Sequence, residues 1–461
     1  MRGRLWASCR RRRRISSKSA CGWPARAPTR PPRPHRRCEG CVMLSTQEVT
    51  NRWQIVYRRF LERSFNILIP LGAILAAFLI SSTLIIARGA NPLTAYAALF
   101  AGAFGSTNAL ANTITRMVPI IMTGLAVTYG YRSGFFNIGA EGQLFMGAMA
   151  TTWMGITLVG WPAWLLIPAS LLAGALAGSL WALIPGYLKA RRGFNEVLTT
   201  LLLNYITIQL FEFLIRVDHV VGPGATFLSW IGLKDPSQPF PKSAYIAEAA
   251  RMPSLTSVIT WLGGTTEDPA LQRFTLAAVI AVLAAVVMYI LLFKTTTGYR
   301  ARAVGVNPRA AQYMGINVMR TTITTALISG ALAGMAGSLE IMGFQHRVIQ
   351  NFLVGAGYDG IPVALIGQLN PLGVLLSALF FGALRAGANR MQIVSGAPVS
   401  IIYVIQSLAI LFAIAGTVID LRPRRLKQAE IEEAKRVEAE LAAGSPSAPA
   451  ADMLGEEVRH V

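Results

Sequence analysis

Charged side chains are scarce in this sequence of 461 residues. Only 14% of its residues are Asp, Glu, Lys or Arg, whereas 53% are hydrophobic. An ordinary soluble domain has about 25% charged residues. This composition argues against a purely soluble protein and directs attention to the long apolar runs.

Cysteine and histidine are equally sparse. All four cysteines lie within residues 1–42, so disulfide and thiol chemistry are excluded from residue 43 onward. A lone Cys38-x-x-Cys41 pair is a weak zinc signal, because Cys9 and Cys21 supply a second ligand pair poorly. The four histidines are scattered, and neither a GxxxxGK[ST] phosphate loop nor an HExxH motif occurs. We therefore expect no metal site, no cofactor and no enzymatic activity in this chain.

The formal net charge of +21 would suggest a nucleic-acid partner if it were spread over one surface. Residues 1–42 alone carry +12, and we interpret them as a basic Cys-, Pro- and Arg-rich leader, either disordered or a mis-annotated start before Met43. Residues 428–461 carry −5 and read as an acidic cytoplasmic tail. The remaining +14 belongs to residues 43–427, the predicted transmembrane domain.

Apolar runs of the length that crosses a bilayer as a helix recur along this domain. They predict an all-α integral membrane protein with about ten transmembrane helices, at 66–87, 112–131, 137–159, 162–188, 196–215, 271–293, 322–343, 353–369, 371–388 and 399–420. A shorter run at 93–104 is expected only to dip into the membrane. The run at 353–369 contains enough glycine to be a broken or re-entrant element.

The basic residues of the short loops predict the orientation, since Lys and Arg concentrate on the cytoplasmic side. They place both termini in the cytoplasm. The loop 294–320, with five bases and no acid, falls on the same side, and the loop 217–270 falls outside. The net charge is thus explained by membrane topology, and no nucleic-acid partner is expected.

Two halves of the domain repeat the same order of features. Residues 136–142 open one span with Glu141, and residues 352–360 open another with Asp359. A glycine-rich span follows in each half. Internal repeats with glycine-interrupted helices are typical of transporters, although close helix packing in lipid also favours glycine.

Polar side chains within spans usually face a cavity or a partner, because they are costly in lipid. The predicted solute pathway comprises Phe136, Asn137, Glu141, Gln143, Asn195, Glu196, Asn204, Tyr358 and Asp359. Two alternatives stay open. Glu141 and Asp359 could accept hydrogen bonds from loop amides or pair with Arg132 and Arg385, and the aromatic residues could be interfacial anchors.

The loop 294–320 contains a predicted short helix, because Asn307 is a good cap and Pro308 suits a first helical turn. This helix, 308–314, is followed by a break at Gly315. It is expected to present Ala310, Ala311, Tyr313 and Met314 to another protein. A basic helix lying on the membrane surface is the alternative.

Four segments together resemble the permease subunits of ABC importers for simple sugars, nucleosides and branched-chain amino acids. They are VPIIMTGLAVTYGYRSGFFNIGAEGQLFMGA (118–148), GFNEVLTTLLLNYI (193–206), GYRARAVGVNPRAAQYMGI (298–316) and GAGYDGIPVALIGQLNP (355–371). The likeness covers about residues 60–420 and looks closest to nucleoside-type permeases that work with a lipoprotein binding protein.

The resemblance implies several partners: a second, related permease in a heterodimer, cytoplasmic ATPase subunits that use the ATP, and an extracytoplasmic solute-binding lipoprotein. It also implies that the ATPase coupling loop comprises Gly305, Asn307, Pro308, Ala310, Ala311, Tyr313 and Gly315. This loop lacks the glutamate of the usual importer consensus.

The expected function is inward passage of a nucleoside, or of a related ribose-containing solute, through the inner cell membrane by alternating access. A permease for a simple sugar or a branched-chain amino acid is the alternative within the family. From a different class, a stand-alone secondary transporter or channel stays open.

Overall fold

A computed structural model of the chain describes residues 72, 74–220, 222, 226–261, 272–350, 352 and 355–418. The predicted leader 1–42 and the tail 428–461 lie outside these residues. All the described residues belong to the larger of two compact units, residues 62–461. Within them the regular structure is helical, and extended pairing is limited to isolated bridges.

The helices are numbered here in chain order. They are α1 (Ile74–Ala87), α2 (Pro92–Phe104), α3 (Thr107–Arg132), α4 (Ala140–Thr157), α5 (Ala163–Arg192), α6 (Glu196–Leu214), α7 (Phe227–Ile231), α8 (Leu255–Trp261), α9 (Leu276–Lys294), α10 (Thr296–Val306), α11 (Pro308–Tyr313), α12 (Val318–Glu340), α13 (Ala356–Ile366), α14 (Pro371–Ser395) and α15 (Ser400–Val418). A π-helical turn, Ile341–Gln345, extends α12.

Short polar side chains start many of these helices. The caps accept hydrogen bonds from the otherwise unpaired amides of the first turn, and they are Asn91, Ser106, Asn195, Asn307, Asn317 and Asn370. At the opposite end, α5 and α14 stop at Gly193 and Gly396, which adopt the left-handed conformation that glycine tolerates. Helix boundaries therefore follow from local sequence.

Six of the described helices are long and apolar enough to cross a membrane, and α1 with α2 make a seventh candidate that is bent by 118°. The predicted number of about ten transmembrane helices is therefore not confirmed. The run at 353–369, which was expected to be broken or re-entrant, contains the 11-residue α13, and Gly355 before this helix has a positive φ of 90°. The run at 93–104 forms α2, which turns back after α1.

Glycine lets α4, α5 and α12 touch backbone to backbone. A Cβ atom added at Gly178 would lie 2.7 Å from the Cα atom of Gly334, and one added at Gly147 would lie 2.6 Å from the carbonyl carbon of Gly334. Helices associate in lipid through such close contacts, because the hydrophobic effect does not drive one apolar helix surface against another there. Many of the glycines thus serve packing.

The order of helices follows the repeat that the sequence predicts. Each half has a long helix, a helix with an acid in its first turn, a long glycine-containing helix and a 19-residue helix. The packing is crossed between the halves. Helix α12 packs against α4 and α5, whereas α3 packs against α13 and α14. Each half therefore completes the core of the other.

Candidate functional site

Two interrupted crossings meet inside the bundle. The chain leaves α3 at Arg132, runs through a non-helical loop, 133–139, and begins α4. In the second half, α12 continues as the π-helical turn to Gln345, and α13 begins directly after Gly355. Helix beginnings inside a membrane protein expose unpaired amides and a positive dipole end, which suit polar or anionic groups.

The carboxylate of Glu141 joins these two helix beginnings. It is fully buried and accepts hydrogen bonds from the backbone N–H groups of Gly355, at 2.6 Å, and Gly357, at 2.5 Å. A Cβ atom at Gly357 would lie 2.7 Å from one of its carboxylate oxygens, so only glycine permits this approach. Glu141 thus accepts hydrogen bonds from backbone amides, which was one of the two alternatives considered from the sequence. Arg132, the partner considered in the other alternative, donates to the carbonyl oxygen of Leu369.

Asn137 and Gln143 form a second buried contact beside this junction. The Asn137 amide donates to the Gln143 side-chain oxygen at 2.7 Å and to the Ser329 hydroxyl at 2.8 Å, and the Gln143 amide donates back to Asn137 at 3.0 Å. Ser329 in turn donates to the carbonyl oxygen of Ala126. The network fastens the loop before α4 to α12 and α3.

Asn204 bridges α6 to both interrupted crossings. Its oxygen accepts a hydrogen bond from the Gly142 N–H at 2.9 Å, and its amide donates to the carbonyl oxygen of Ile138 and to the Tyr358 hydroxyl, each at 3.0 Å. The predicted pathway residues Asn137, Glu141, Gln143 and Asn204 are all buried. Together they form a closed polar knot within the protein.

Asp359 behaves differently from its repeat counterpart. Its carboxylate makes an ion pair with the Arg385 guanidinium at 2.5 Å, which is the pairing considered as the alternative from sequence. Both side chains keep 17% of their surface exposed. Asp359 is therefore paired but reachable from an open space beside α14.

Phe136, Asn195 and Glu196 lie at the helix ends around the loop 133–139. Asn195 caps α6. The Lys189 ammonium donates to the Glu196 carboxylate and to the carbonyl oxygen of Gly134, both at 2.5 Å, while Phe136 packs edge-on against the Tyr131 ring. These predicted pathway residues hold the loop in place at the periphery of the knot.

A cavity of about 140 Å³ lies between α3, α14 and α15, and it was not predicted from the sequence. Its lining includes Arg116, Arg385, Asn389 and Tyr403. The buried carboxylate of Glu340 exerts its charge on both arginines. A signal was available, because Arg116 is an isolated cation within the apolar helix α3 and intramembrane charges usually mark function.

The predicted coupling segment forms two short helices, α10 and α11. Asn307 caps α11 by accepting from the N–H groups of Arg309 and Ala310, Pro308 occupies the first turn, and Gly315 ends the segment at a positive φ of 79°. Ala310 and Tyr313 are exposed, as predicted, and Tyr313 is 94% exposed.

The expectation that Ala311 also faces a partner is wrong. Ala311 is fully buried, because one face of the short helix α11 packs against the neighbouring helices α10 and α12. The surface available for docking is therefore narrower than the sequence suggested.

Gly305 brings the coupling segment into backbone contact with the loop that leads to Glu141. A Cβ atom at Gly305 would lie 2.9 Å from the carbonyl carbon of Arg132 and 3.0 Å from the Gly134 nitrogen. Any larger side chain would push the two segments apart. The coupling segment and the start of the first interrupted crossing therefore move as neighbours.

The fold and this knot of interrupted helices define a multi-pass membrane transport protein. Residues 109–415 match the family described as "Branched-chain amino acid transport system / permease component", and the chain belongs to this family. Similar proteins are the guanosine ABC transporter permease protein NupP of Bacillus subtilis, 35% identical over 80% of this chain and 98% of its own length, and the nucleoside ABC transporter permease protein NupB of Lactococcus lactis, 32% identical over 83% and 100%.

The glucose ABC transporter permease protein TsgB13 of Haloferax volcanii is 34% identical over 75% of this chain and 87% of its own length. Bacillus subtilis and Lactococcus lactis each have a second, more distant relative, NupQ at 28% identity and NupC at 25%. No solved structure matches the chain. The chain is a permease subunit of an ABC transporter in the cell membrane.

Proposed function

We propose that this permease passes a nucleoside, or a related ribose-containing solute, into the cell by alternating access. The observation that carries the proposal is the junction at Glu141, where two interrupted crossings are closed by hydrogen bonds that can open. Permeases named for guanosine and for nucleosides, alike over nearly their whole length, support the choice of solute.

The arrangement of crossings that we propose has ten members. The six long helices are joined by α1, α4 and α15, and by a crossing that contains the short helix α13. Helix α2 then dips into the membrane and returns. An even number of crossings places both termini of the domain 43–427 in the cytoplasm.

Contacts between the basic helix ends support this orientation. The guanidinium groups of Arg132 and Arg302 both lie over the ring of Phe293, at 5.2 and 5.3 Å from its centre. Lys189 lies near Phe135. The ends of α3, α5 and α9 thus share one side with the coupling segment, as the positive-inside rule requires of a cytoplasmic face.

The partners we propose are a cytoplasmic ATPase, a second related permease and an extracytoplasmic solute-binding lipoprotein. Paired permeases in two organisms support a heterodimer, in which this chain takes the place of the NupP and NupB type. The ATPase would bind the exposed side of the coupling segment around Ala310 and Tyr313, and the chain itself would need no cofactor.

In this mechanism ATP hydrolysis moves the coupling segment, and the contact of Gly305 with Gly134 carries the displacement to the loop 133–139. That loop holds Asn137 and leads directly to Glu141. Displacing it would withdraw the carboxylate from the amides of Gly355 and Gly357 and open a polar path between the halves.

Uptake of radiolabelled solutes in a strain deleted for this gene tests the proposal. We expect uptake of nucleosides to fall to background and to return when the gene is supplied. Normal nucleoside uptake together with a loss of ribose or leucine uptake would overturn the choice of solute. A glucose permease is the second candidate, because of the 34% identity to TsgB13, and glucose is included in the same assay.

A further inference from the structure

The cavity beside Arg385 contains more hydrogen-bonding capacity than the protein uses. Among the described residues, the Nε atoms of Arg116 and Arg385 are buried and have no hydrogen-bond partner. Buried polar groups are normally satisfied, so two arginines that line a cavity and keep an unused donor leave capacity for an acceptor from outside the chain. The lining also includes Asn389, Tyr403 and the apolar residues Ala388, Val399 and Ile402.

Two carboxylates lie close to the arginines of the cavity. Arg385 pairs with Asp359 at 2.5 Å, and the buried Glu340 lies within electrostatic range of Arg116. Both carboxylates lower the positive potential that the two arginines would create alone. The cavity therefore suits an uncharged solute with acceptor atoms better than a phosphorylated one.

The depth of the cavity suits a solute arriving from outside, given the proposed orientation. Arg116 lies 16 residues before Arg132, and Arg385 lies 14 residues after Pro371. Leu369, two residues before Pro371, accepts a hydrogen bond from Arg132. At a rise of 1.5 Å per residue both arginines lie about 21–24 Å from the cytoplasmic helix ends. In a hydrocarbon core about 30 Å thick they are in the outer half.

Arg385 also lies near the closed junction. A Cβ atom at Gly355 would lie 4.0 Å from its guanidinium nitrogen, and Gly355 is one of the two amide donors to Glu141. A solute that engages Arg385 would thus be held next to the hydrogen bonds that close the path.

Resting on the proposed function, we propose that the cavity lined by Arg116, Arg385, Asn389 and Tyr403 binds the uncharged base of a purine nucleoside before the junction opens. Arginine recognises adjacent carbonyl and ring-nitrogen acceptors of a purine in a planar, two-bond geometry. The Tyr403 ring supplies a stacking surface for the base. The carboxylates of Asp359 and Glu340 near the arginines disfavour the corresponding nucleotide.

The test uses the complete transport complex, purified with its co-expressed partner subunits and placed in nanodiscs. The readouts are equilibrium binding and uptake of radiolabelled guanosine, with co-purification of the subunits as the measure of assembly. We expect Arg116→Gln and Tyr403→Ala to weaken guanosine binding at least tenfold. Tyr403→Phe keeps the ring and is expected to stay within threefold of the wild type.

Arg390→Gln is the matched control, because Arg390 is an exposed arginine on the same helix that does not line the cavity. It is expected to bind guanosine within twofold of the wild type. Glu340→Gln removes one of the two carboxylates near the arginines, and we expect guanosine monophosphate to compete at least tenfold better than in the wild type. Should Arg116→Gln or Glu340→Gln fail to assemble, the two Tyr403 variants decide.

The results distinguish a failure of the proposed function from a failure of the cavity assignment. A wild-type complex that neither binds nor transports any nucleoside overturns the proposed function. A wild-type complex that binds and transports guanosine, with Arg116→Gln and Tyr403→Ala unchanged, overturns the assignment of the cavity and leaves the proposed function standing. An equal loss in Arg390→Gln also overturns it.

Discussion

Glu141 and Asp359 begin matching helices in the two halves of the chain, but they have different partners. Glu141 accepts two backbone hydrogen bonds from the other half, at Gly355 and Gly357, and is fully buried. Asp359 pairs with Arg385 of its own half and keeps 17% of its side chain exposed. One acid closes the interface between the halves, and the other pairs with an arginine that lines the cavity.

The difference follows from the helix after each acid. The second-half motif Gly382-Ala-Leu-Arg385-Ala-Gly387 contains an arginine, whereas the corresponding first-half motif Gly174-Ala-Leu-Ala-Gly178 contains only small and apolar residues. Without a cation nearby, a buried carboxylate needs N–H donors, and the start of a helix supplies them. A duplicated position has thus acquired two roles.

The largest effect is expected from breaking the first junction. Glu141→Ala leaves two buried N–H donors without an acceptor, at a cost of about 1–3 kcal/mol each, which is about 100-fold in the equilibrium that closes the path. We expect guanosine uptake by the reconstituted complex to fall to background. Glu248→Ala, at an acid whose side chain is 92% exposed, serves as the control and should transport normally. Normal uptake by Glu141→Ala would show that the junction has no role in closure.

A somewhat smaller loss is expected when the same junction is pushed apart sterically. In Gly357→Ala the new Cβ would meet the Glu141 backbone and lie 2.7 Å from its carboxylate, so the helix start must retreat. We expect guanosine uptake to fall about thirtyfold, which is roughly 2 kcal/mol. Gly72→Ala is the matched control, because a Cβ there would have no neighbour within 4 Å. Equal uptake by the two variants would contradict the close contact at Gly357.

The second junction, which is the ion pair of Asp359 with Arg385, should respond to a change of charge rather than to a change of shape. Asp359→Leu leaves Arg385 without its counter-charge, and Arg385→Leu leaves Asp359 unpaired, so each single change should lower the thermal unfolding midpoint of the complex by roughly 5 °C. The double variant Asp359→Leu with Arg385→Leu removes both charges and should lie closer to the wild type. A double variant as unstable as the sum of the two singles would show that the ion pair is not the interaction lost.

The sequence predicted the components of the site better than their arrangement. The helix caps, the breaks at Gly315 and before α13, and the repeat of Glu141 in Asp359 are local features, and these were accessible because short-range chemistry determines them. The convergence of Asn137, Gln143, Asn204 and Glu141 into one knot depends on crossed packing between residues more than 60 positions apart. Nothing in a single sequence specifies that packing.

The extent of each crossing was hard to predict for a related reason. Hydropathy does not distinguish a complete helix from one that is interrupted inside the protein. The glycines of the 353–369 run indicated a broken or re-entrant element, but not that its helix, α13, has only 11 residues. Ala311 was placed outward because a six-residue helix gives too short a pattern to indicate its buried face. Arg116 was passed over because its partners come from other helices.

The smallest effect is expected where the first junction connects to the coupling segment. Lys189 holds the loop 133–139 through Gly134 and Glu196, but this ion pair is partly exposed and should contribute at most about 1 kcal/mol. We expect Lys189→Met to raise the ATP hydrolysed per guanosine transported about threefold, because the loop would follow the coupling segment less faithfully. An unchanged ratio in Lys189→Met would mean that the grip on the loop does not set the coupling of the first junction. The Asp359–Arg385 ion pair holds the start of α13 instead of the loop 133–139, so Asp359→Asn should alter the rate of uptake while leaving this ratio unaltered.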